Sequence, residues 1–220
     1  MDKYEIALIG LSVMGQNLAL NIAEDHSIAV YNRTTAKTER FIEENADKEN
    51  IKAAYEVEEL INSLEKPRKI MLMIKAGKPV DYVIEDLKPH LEEEDIIIDG
   101  GNSHFADTNR RSEMLKKDGI RYLGVGISGG EYGALHGPSI MPGGDEEAYA
   151  EVSTIFEDAA AKTEHGNCVS YLGPNSAGHY VKMVHNGIEY GIMESIAEIY
   201  DFMRKILKLS PEEMGEIFAE

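Results

Sequence analysis

Four side chains that can exchange protons or form hydrogen bonds lie close together late in the sequence. Their positions are i, i+3, i+4 and i+7, which places them on one face of a helix: Lys182, His185, Asn186 and Glu189. A neutral amine accepts a proton and a carboxylic acid donates one, so this spacing permits a base and an acid two turns apart. A surface Lys–Glu pair beside a hydrogen-bonded histidine would have the same spacing, and both interpretations stay open on spacing alone.

A glycine-rich segment follows the first apolar stretch and has the order Gly10-Leu11-Ser12-Val13-Met14-Gly15. This is the dinucleotide fingerprint with serine at the middle glycine position. Gly10 allows a tight turn, Ser12 is small enough for a pyrophosphate to approach the backbone, and Gly15 lets helix and strand pack closely. The alternative is an ordinary tight turn between a strand and a helix.

The end of the second predicted strand indicates which dinucleotide would bind. NAD enzymes usually place a carboxylate there, where it holds the ribose hydroxyls. This chain has Asn32-Arg33-Thr34 instead. A guanidinium would form charge-assisted hydrogen bonds with a 2′-phosphate, which a carboxylate would repel. These residues therefore favour NADP over NAD, and an arginine that only caps the next helix is the alternative.

Two further glycine loops could hold a substrate. Asp99-Gly100-Gly101-Asn102-Ser103 follows an apolar strand, at the strand end where open α/β sheets bind ligands, and Asn102 could bond both cofactor and substrate. Ser128-Gly129-Gly130 offers successive backbone amides that can surround an anion. Both could equally be tight turns that need glycine for conformation only.

The elements that must position these residues alternate between strand and helix patterns. Strands are predicted at 4–9, 27–31, 69–74, 95–99 and 121–125, and helices at 13–24, 35–45, 58–64, 79–91, 107–117, 145–161 and 177–207, with a last short helix capped by Ser210. The glycine-rich stretch 124–144 is predicted as loops and short strands. This order predicts an α/β chain with a Rossmann-like doubly wound sheet followed by a long helix. The predicted domains are 1–175, which binds the dinucleotide, and 176–220, which begins a helical domain.

Composition excludes several classes of protein. Of the 220 residues, 43% are hydrophobic, and the formal net charge of −18 argues against non-specific binding of nucleic acid. The sequence has no apolar run of membrane-spanning length, and its first residues lack the basic start and apolar run of a signal peptide, so we expect neither a membrane helix nor a signal peptide. Cys168 is the only cysteine, so we expect no internal disulfide and a reducing compartment.

These motifs together closely resemble one family, the decarboxylating 6-phosphogluconate dehydrogenases. The resemblance covers essentially the whole chain and is carried, in order, by segments 10–18, 32–34, 74–77, 98–103, 128–131, 137–139, 141–144 and 179–190. The last segment, His179-Tyr180-Val181-Lys182-Met183-Val184-His185-Asn186-Gly187-Ile188-Glu189-Tyr190, is highly specific. Ser12 departs from the alanine common in the family.

The resemblance implies roles for individual residues. Those implied to contact NADP are Gly10, Leu11, Ser12, Val13, Met14, Gly15, Asn32, Arg33, Thr34, Ile74, Lys75, Ala76 and Asn102. Those implied to contact 6-phosphogluconate are Asn102, Ser128, Gly129, Gly130, His185, Asn186 and Tyr190. Lys182 is implied as the general base and Glu189 as the general acid.

The implied reaction is an oxidative decarboxylation in the pentose phosphate pathway. Neutral Lys182 would take the C3 hydroxyl proton as hydride leaves C3, and the resulting β-keto acid would lose CO₂ to give an enediol. Glu189 would then protonate C1 to yield ribulose 5-phosphate. The carbonyl supplies the electron sink, so no metal is expected. We also expect a cytoplasmic enzyme.

Members of this family continue into an all-helical domain that forms the dimer and contributes basic residues to the substrate phosphate. This chain stops inside its last short helix, so we expect part of a longer, homodimeric enzyme. By itself it should bind NADP with weak or absent turnover.

Two other functions are compatible with part of the pattern. Another β-hydroxyacid dehydrogenase, such as a 3-hydroxyisobutyrate type, would share the fold, the glycine segment and a helical lysine. A protonating Glu189 argues against it, because that group is needed only after CO₂ is lost. A non-catalytic NADP-binding module is the second alternative, and the presence of both Lys182 and Glu189 argues against it.

Overall fold

A seven-stranded sheet runs through the computed structural model, which describes residues 3–219. Its strands are β1 (Ile6–Ile9), β2 (Ile28–Tyr31), β3 (Ile51–Ala53), β4 (Lys69–Leu72), β5 (Ile96–Asp99), β6 (Arg121–Ser128) and β7 (Ser139–Gly144). The spatial order is β3-β2-β1-β4-β5-β6-β7, and every neighbouring pair is parallel except β6 and β7. The order reverses between β1 and β4, which opens a crevice at the carboxyl ends of the strands. The predicted Rossmann-like doubly wound sheet is confirmed.

Helices cover both faces of this sheet. The helices of the described chain are α1 (Val13–Ile22), α2 (Thr35–Glu44), α3 (Val57–Asn62), α4 (Lys78–Leu87), α5 (Phe105–Lys116), α6 (Gly130–His136), α7 (Glu146–Ala159), α8 (Ala177–Phe202) and α9 (Pro211–Ala219), of which α9 and most of α8 lie outside the unit that contains the sheet. Alternate strand residues divide into two apolar cores, one with Leu18 of α1 and Phe156 of α7, the other with Leu60, Ile84 and Leu115. Burial on both faces explains why the strands are almost continuously apolar. A small hairpin of β8 (Lys162–Thr163) and β9 (Gly166–Asn167) follows α7.

The structure differs from the predicted elements at β3 and in the glycine-rich stretch 124–144. Strand β3 was not predicted, because three half-buried residues at a sheet edge carry no clear period. The stretch predicted as loops and short strands holds α6 and the six-residue strand β7. Tertiary contacts stabilise the glycine-containing α6: Asn17 of α1 donates to Glu131 O at 2.8 Å, and Asn21 donates to Ala134 O at 3.2 Å.

The chain forms two compact units that divide between Lys182 and Met183. The first contains the sheet, its helices and the first residues of α8. In the second, α8 continues to Phe202 and ends in a π-helical turn over Met203–Leu207, shortly before the predicted cap of α9. That cap is confirmed, because Ser210 Oγ accepts from Glu213 N at 3.3 Å. The predicted domain boundary at 175/176 stays a prediction. No helix among residues 3–219 combines the length and apolar character needed to cross a membrane.

The start of α8 packs directly on the backbone of β6 and β7. A Cβ at Gly178 would overlap the carbonyl oxygens of Gly124 and Met141, and a Cβ at Gly143 would overlap Gly178 N. A Cβ at Gly126 would lie 2.5 Å from the Cβ of Lys182. We call Gly124, Gly126, Gly143 and Gly178 the glycine seat. It allows the helix to approach the sheet without intervening side chains.

Substitution of Gly178 by alanine should therefore lower the stability of the first unit. The new methyl group overlaps two backbone carbonyls that cannot move without shifting β6 and β7, so we expect a loss of about 1–3 kcal/mol. Gly187→Ala is the matched control on the same helix, because a Cβ there would have no neighbour within 4 Å among residues 3–219, and alanine favours helix. Thermal denaturation followed by circular dichroism measures both. Equal melting temperatures for the two variants would contradict the direct packing.

Candidate active site

The glycine segment forms the turn between β1 and α1. Gly10 has φ +108°, and a side chain there would meet Met73 O at 2.5 Å. A Cβ at Gly15 would overlap Gly10 O, so the first turn of α1 lies directly against the loop. Leu11 is buried and Val13 is half exposed, while Gly10, Ser12 and Met14 line a cavity. The loop and the N-terminus of α1 thus form a small-residue cradle of the kind that binds pyrophosphate.

Asn32 holds this loop to the end of β2. Its Oδ1 accepts from Leu11 N at 3.1 Å, and its Nδ2 donates to Thr34 O at 3.2 Å. The backbone N–H of Asn32 donates in turn to Thr38 Oγ1 at 3.1 Å. Asn32 was predicted as a cofactor contact, and the geometry adds a second role, because its side chain fixes the loop. Arg33 and Thr34 next to it are exposed.

Two cavities open where the strands end. The first, of about 390 Å³, lies over the glycine segment and is bordered by Ser12, Lys37, Lys75, Gly101, Asn102 and Ile127. The second, of about 480 Å³, lies beyond β2 and is bordered by Arg33, Thr34, Lys37, Pro79, Tyr82 and Asp86. We call them the loop cavity and the β2 cavity. Ile74 and Lys75 border both cavities, whereas Ala76 borders neither. Predicted cofactor contacts from the segments 10–15, 32–34 and 74–76 thus come together with Asn102.

Lys37 borders both cavities and was not predicted as a site residue. It lies in the first turn of α2, which contains no acidic residue. A cation is unfavourable near the positive end of a helix dipole unless an anion binds there. A lysine in the first turn of a helix, four residues after Arg33, is the sequence signal that could have identified Lys37 as a site residue.

The Ser128–Gly130 segment lies at the end of β6 and the start of α6. Gly129 has φ +138° and Gly130 has φ +61°, so conformation alone requires glycine at both positions. A Cβ at Gly129 would also lie 2.9 Å from Gly133 Cα. Their predicted contact with substrate stays a prediction.

Lys182 is the one acid–base candidate of α8 that lies in the first unit. It is buried, with 8% of its surface exposed, and its Cβ and Cγ pack against Gly126 of β6. Because β6 is parallel to β5, this position is near the sheet edge that carries Asn102. The glycine seat thus places the stem of Lys182 on the later part of β6, towards the carboxyl edge of the sheet, where ligands bind in open α/β folds.

The remaining predicted residues of α8 lie in the second unit. His185 Nδ1 is 3.4 Å from Asn186 Oδ1 and 3.7 Å from Glu189 Oε2. Glu189 and Tyr190 are exposed, and His185 and Asn186 are half buried. The histidine and the carboxylate are therefore within ion-pair distance of each other when the histidine is protonated.

A buried arginine connects the elements beneath the cavities. Arg111 of α5 is fully buried; its Nε donates to Asp81 Oδ1 at 2.8 Å and its Nη2 to Gly77 O at 2.9 Å. Burial by itself would raise the pKa of Asp81, but hydrogen bonds from Arg111 and Arg110 outweigh it and lower that pKa. Arg111 thereby ties α5 to the start of α4, next to Lys75.

His179, three residues before Lys182, anchors the first turn of α8. Its Nδ1 lies 2.6 Å from Thr108 Oγ1, and a Cβ at Gly124 would lie 2.8 Å from the same nitrogen. Only 1% of the residue is exposed. Burial lowers the pKa of His179, although the charge of Asp99 and the carbonyls of Asp99 and Gly101 act in the opposite direction. Burial thus favours the neutral form of the ring.

Comparison with known families identifies the chain. The family model "NAD binding domain of 6-phosphogluconate dehydrogenase" matches residues 5–173, more than half of the sequence. The chain belongs to the 6-phosphogluconate dehydrogenase family. A second model, "6-phosphogluconate dehydrogenase, C-terminal domain", matches residues 178–220.

Individual relatives of the 6-phosphogluconate dehydrogenase family agree with this assignment. The decarboxylating 6-phosphogluconate dehydrogenase of Haemophilus influenzae is 58% identical over 99% of this chain and 46% of its own length. The NADP(+)-dependent, decarboxylating enzyme of Bacillus subtilis is 53% identical over 100% of this chain and 47% of its own length. The chain thus spans about half the length of these relatives.

A solved structure of the 6-phosphogluconate dehydrogenase family also matches this chain. The Plasmodium falciparum 6-phosphogluconate dehydrogenase, described in apo form and in complexes with NADP+ and with 6-phosphogluconate, matches with a TM-score of 0.93 and 48% identity, over 98% of this chain and 46% of that one. A 3-hydroxyisobutyrate dehydrogenase of Mycobacterium tuberculosis matches with a TM-score of 0.80 and 20% identity, over 98% of this chain and 69% of that one. The second match shows a shared fold only.

The buried His179 predicts a pH-dependent stability for this member of the 6-phosphogluconate dehydrogenase family. Because its folded-state pKa is lowered, the unfolded chain binds a proton more readily than the folded one does. The stabilisation is complete above the unfolded pKa of about 6.5 and is lost as the pH falls below it. We expect His179→Gln, which keeps a group able to bond Thr108, to flatten the fall in melting temperature between about pH 7 and 5.

His165→Gln is the matched control, because the side chain of His165 is 88% exposed on the small hairpin. It should leave the pH profile unchanged. A profile of His179→Gln that keeps the full steepness of the original protein would show that other groups cause the loss.

Proposed function

We propose that this chain is the NADP-binding part of an enzyme that oxidises and decarboxylates 6-phosphogluconate to ribulose 5-phosphate, CO₂ and NADPH. The observation that carries the proposal is the burial of Lys182 on Gly126, at the sheet edge that also forms the two cavities. Membership of the 6-phosphogluconate dehydrogenase family, and relatives whose names state the same NADP-dependent decarboxylating activity, support it.

The residues present fit a dinucleotide phosphate. The cradle at Gly10 and Gly15 has no room for side chains, so a pyrophosphate can approach the backbone and the N-terminus of α1. The cavities on its two sides match the two halves of a dinucleotide, with adenosine in the β2 cavity and nicotinamide in the loop cavity.

The β2 cavity carries the charge that a 2′-phosphate requires. Arg33 and Lys37 border it, and Thr34 adds a hydroxyl. No carboxylate follows β2 directly to hold free ribose hydroxyls, since the residues there are Asn32, Arg33 and Thr34. This arrangement supports NADP as the cofactor.

Lys182 is proposed to accept the proton of the C3 hydroxyl of 6-phosphogluconate. The nicotinamide, when bound, takes up the hydride from C3. This role needs the neutral amine, and the Cβ and Cγ of Lys182 pack beside Gly126. Packing of the stem also limits the rotation of the side chain.

Glu189 is proposed to return a proton to C1 after CO₂ has left. It follows Lys182 by two helical turns on α8, and His185 lies between them in sequence. His185 is within 3.7 Å of the Glu189 carboxylate, so it can orient that group or exchange a proton with it. Asn186, Tyr190, Asn102 and Ser128–Gly130 are proposed to bind the sugar acid.

Turnover is proposed to need the region that the relatives have in addition to this segment. The chain spans 46–47% of two of those relatives, and the helical-domain model matches residues 178–220. The 220-residue chain assayed alone should bind NADP and turn over weakly or not at all. We further propose a homodimer for the full-length enzyme and a cytoplasmic location, which suits an acidic chain with one cysteine.

Calorimetric titration should show tighter binding of NADP than of NAD to this chain. Arg33→Ala should raise the Kd for NADP by about 10–100-fold and leave that for NAD nearly unchanged, because only NADP has a 2′-phosphate. Arg40→Ala is the matched control on α2, since Arg40 is exposed and pairs with Glu44. Equal affinities of the unsubstituted chain for NADP and NAD would refute the cofactor assignment.

Lys182→Met should abolish turnover in a form of the enzyme that includes the C-terminal region of the relatives. Methionine keeps the packing against Gly126 but cannot accept a proton, so we expect kcat to fall by about 10²–10⁴-fold. The Kd for NADP should change little. Lys116→Met, at an exposed position on α5, should retain full activity. A Lys182→Met enzyme with unchanged kcat would eliminate the lysine as the base.

A further inference from the structure

The segment Gly100–Asn102 borders the loop cavity but has almost no side chains that could fix its conformation. Gly100 packs against the Met73 side chain, and a Cβ at Gly101 would lie 2.9 Å from Ile74 O. Asn102 is exposed. The conformation of this segment must therefore be set mainly by what holds its backbone and its two ends.

Asp99, at the end of β5, supplies that hold. Its Oδ1 accepts from the backbone N–H of Gly101 at 3.1 Å. Its Oδ2 accepts from Ser103 Oγ at 2.6 Å and from the Tyr122 hydroxyl at 2.9 Å. One carboxylate thus bonds the middle of the segment, the residue that follows it and the neighbouring strand.

Arg111 completes this arrangement with a positive charge. Its Nη1 donates to Asp99 Oδ2 at 3.4 Å and to Ser103 Oγ at 3.3 Å. Asp99 and Arg111 are fully buried, and Tyr122 and Ser103 are 2% and 5% exposed. We call these four residues the Asp99 cluster. Transfer of an ion pair from water to the protein interior costs free energy, and well-packed apolar residues can often replace such a pair without loss of stability.

The position of the cluster separates it from the reacting groups. Asp99 has no exposed surface, so a substrate cannot touch it. The paired positions Asp99 of β5 and Gly124 of β6 place it beside the glycine seat. Its hydrogen bonds lead to the loop cavity through Gly101 and Ser103, whereas the β2 cavity is bordered by other segments.

We infer that the Asp99 cluster is a positioning device that sets the Gly100–Asn102 segment for the nicotinamide half of the cofactor. The inference rests on the proposed function, since it takes NADP as the ligand. A device of this kind affects affinity only for ligands that reach the loop cavity. A cluster that merely stabilises the fold would affect all ligands of the domain alike.

Paired titrations of the 220-residue chain with NADP and with adenosine 2′,5′-bisphosphate test this difference. The bisphosphate carries the adenosine and the 2′-phosphate but no nicotinamide. Tyr122→Phe removes one donor to Asp99 with little change in shape. We expect it to raise the Kd for NADP about three- to tenfold and to leave the Kd for the bisphosphate within twofold.

Tyr171→Phe is the matched control, because it deletes the same hydroxyl from a hydrogen bond to Gly144 O, at 2.8 Å, away from both cavities. It should change neither affinity. Ser103→Ala, which removes the 2.6 Å bond to the same carboxylate oxygen, serves as the second variant if Tyr122→Phe does not fold. Hydrogen exchange should also be faster at the Gly101 amide in either cluster variant.

The outcomes separate the inference from the proposed function. Equal changes in the two Kd values, or no change in either, would overturn the positioning role while NADP binding by the unsubstituted chain stands. Failure of the unsubstituted chain to bind NADP, with the bisphosphate bound or not, would overturn both. A raised NADP Kd with an unchanged bisphosphate Kd supports the inference.

Discussion

Direct contact between the backbone of α8 and the backbone of β6 and β7 is the constraint on which this structure depends. Gly178 lies on the carbonyls of Gly124 and Met141, and Gly126 leaves room for the stem of Lys182. A helix separated from a sheet by ordinary side chains lies about 10 Å away, and its residues can slide or rotate as those side chains repack. At Gly178 no side chain intervenes, so the position of the lysine one turn later follows from the path of the strands.

The same face of the sheet carries a group of buried polar side chains, which need hydrogen-bond partners because water cannot reach them. Tyr122 and Asp99 come from adjacent strands, Thr108 and Arg111 from α5, and His179 from α8. In the described part of the chain, one nitrogen of this group, Nε2 of His179, has no hydrogen-bond partner. These buried groups must be placed accurately, because a displaced donor or acceptor loses its hydrogen bond and cannot form one with water instead. The network therefore ties the glycine segments, which have no side chains of their own, to the core.

Local order in the sequence was enough to predict the sheet, the glycine segment and the lysine-bearing helix. Gly10 directly follows β1, Gly15 lies in the first turn of the next helix, and Asn32–Thr34 follows β2, so their places in a Rossmann-like fold follow from chain order alone. Arg111 could not be found in this way. Its neighbour Arg110 has the same residue type and is 51% exposed, whereas Arg111 is fully buried. Only the packing of α5 on β6 decides which of the two meets Asp99, just as contacts with α1 stabilise α6.

The chain has a formal net charge of −18, yet Arg33, Lys37 and Lys75 outnumber the one acidic residue, Asp86, among the residues that border the two cavities. A nucleotide that carries several negative charges is therefore repelled at long range and attracted only at contact. The Debye length is about 30 Å in 0.01 M salt and about 10 Å in 0.1 M salt, so moderate ionic strength screens the distant acidic surface before it weakens the close cationic groups. Association with such a ligand would consequently speed up with added salt in dilute buffer, the opposite of electrostatic steering.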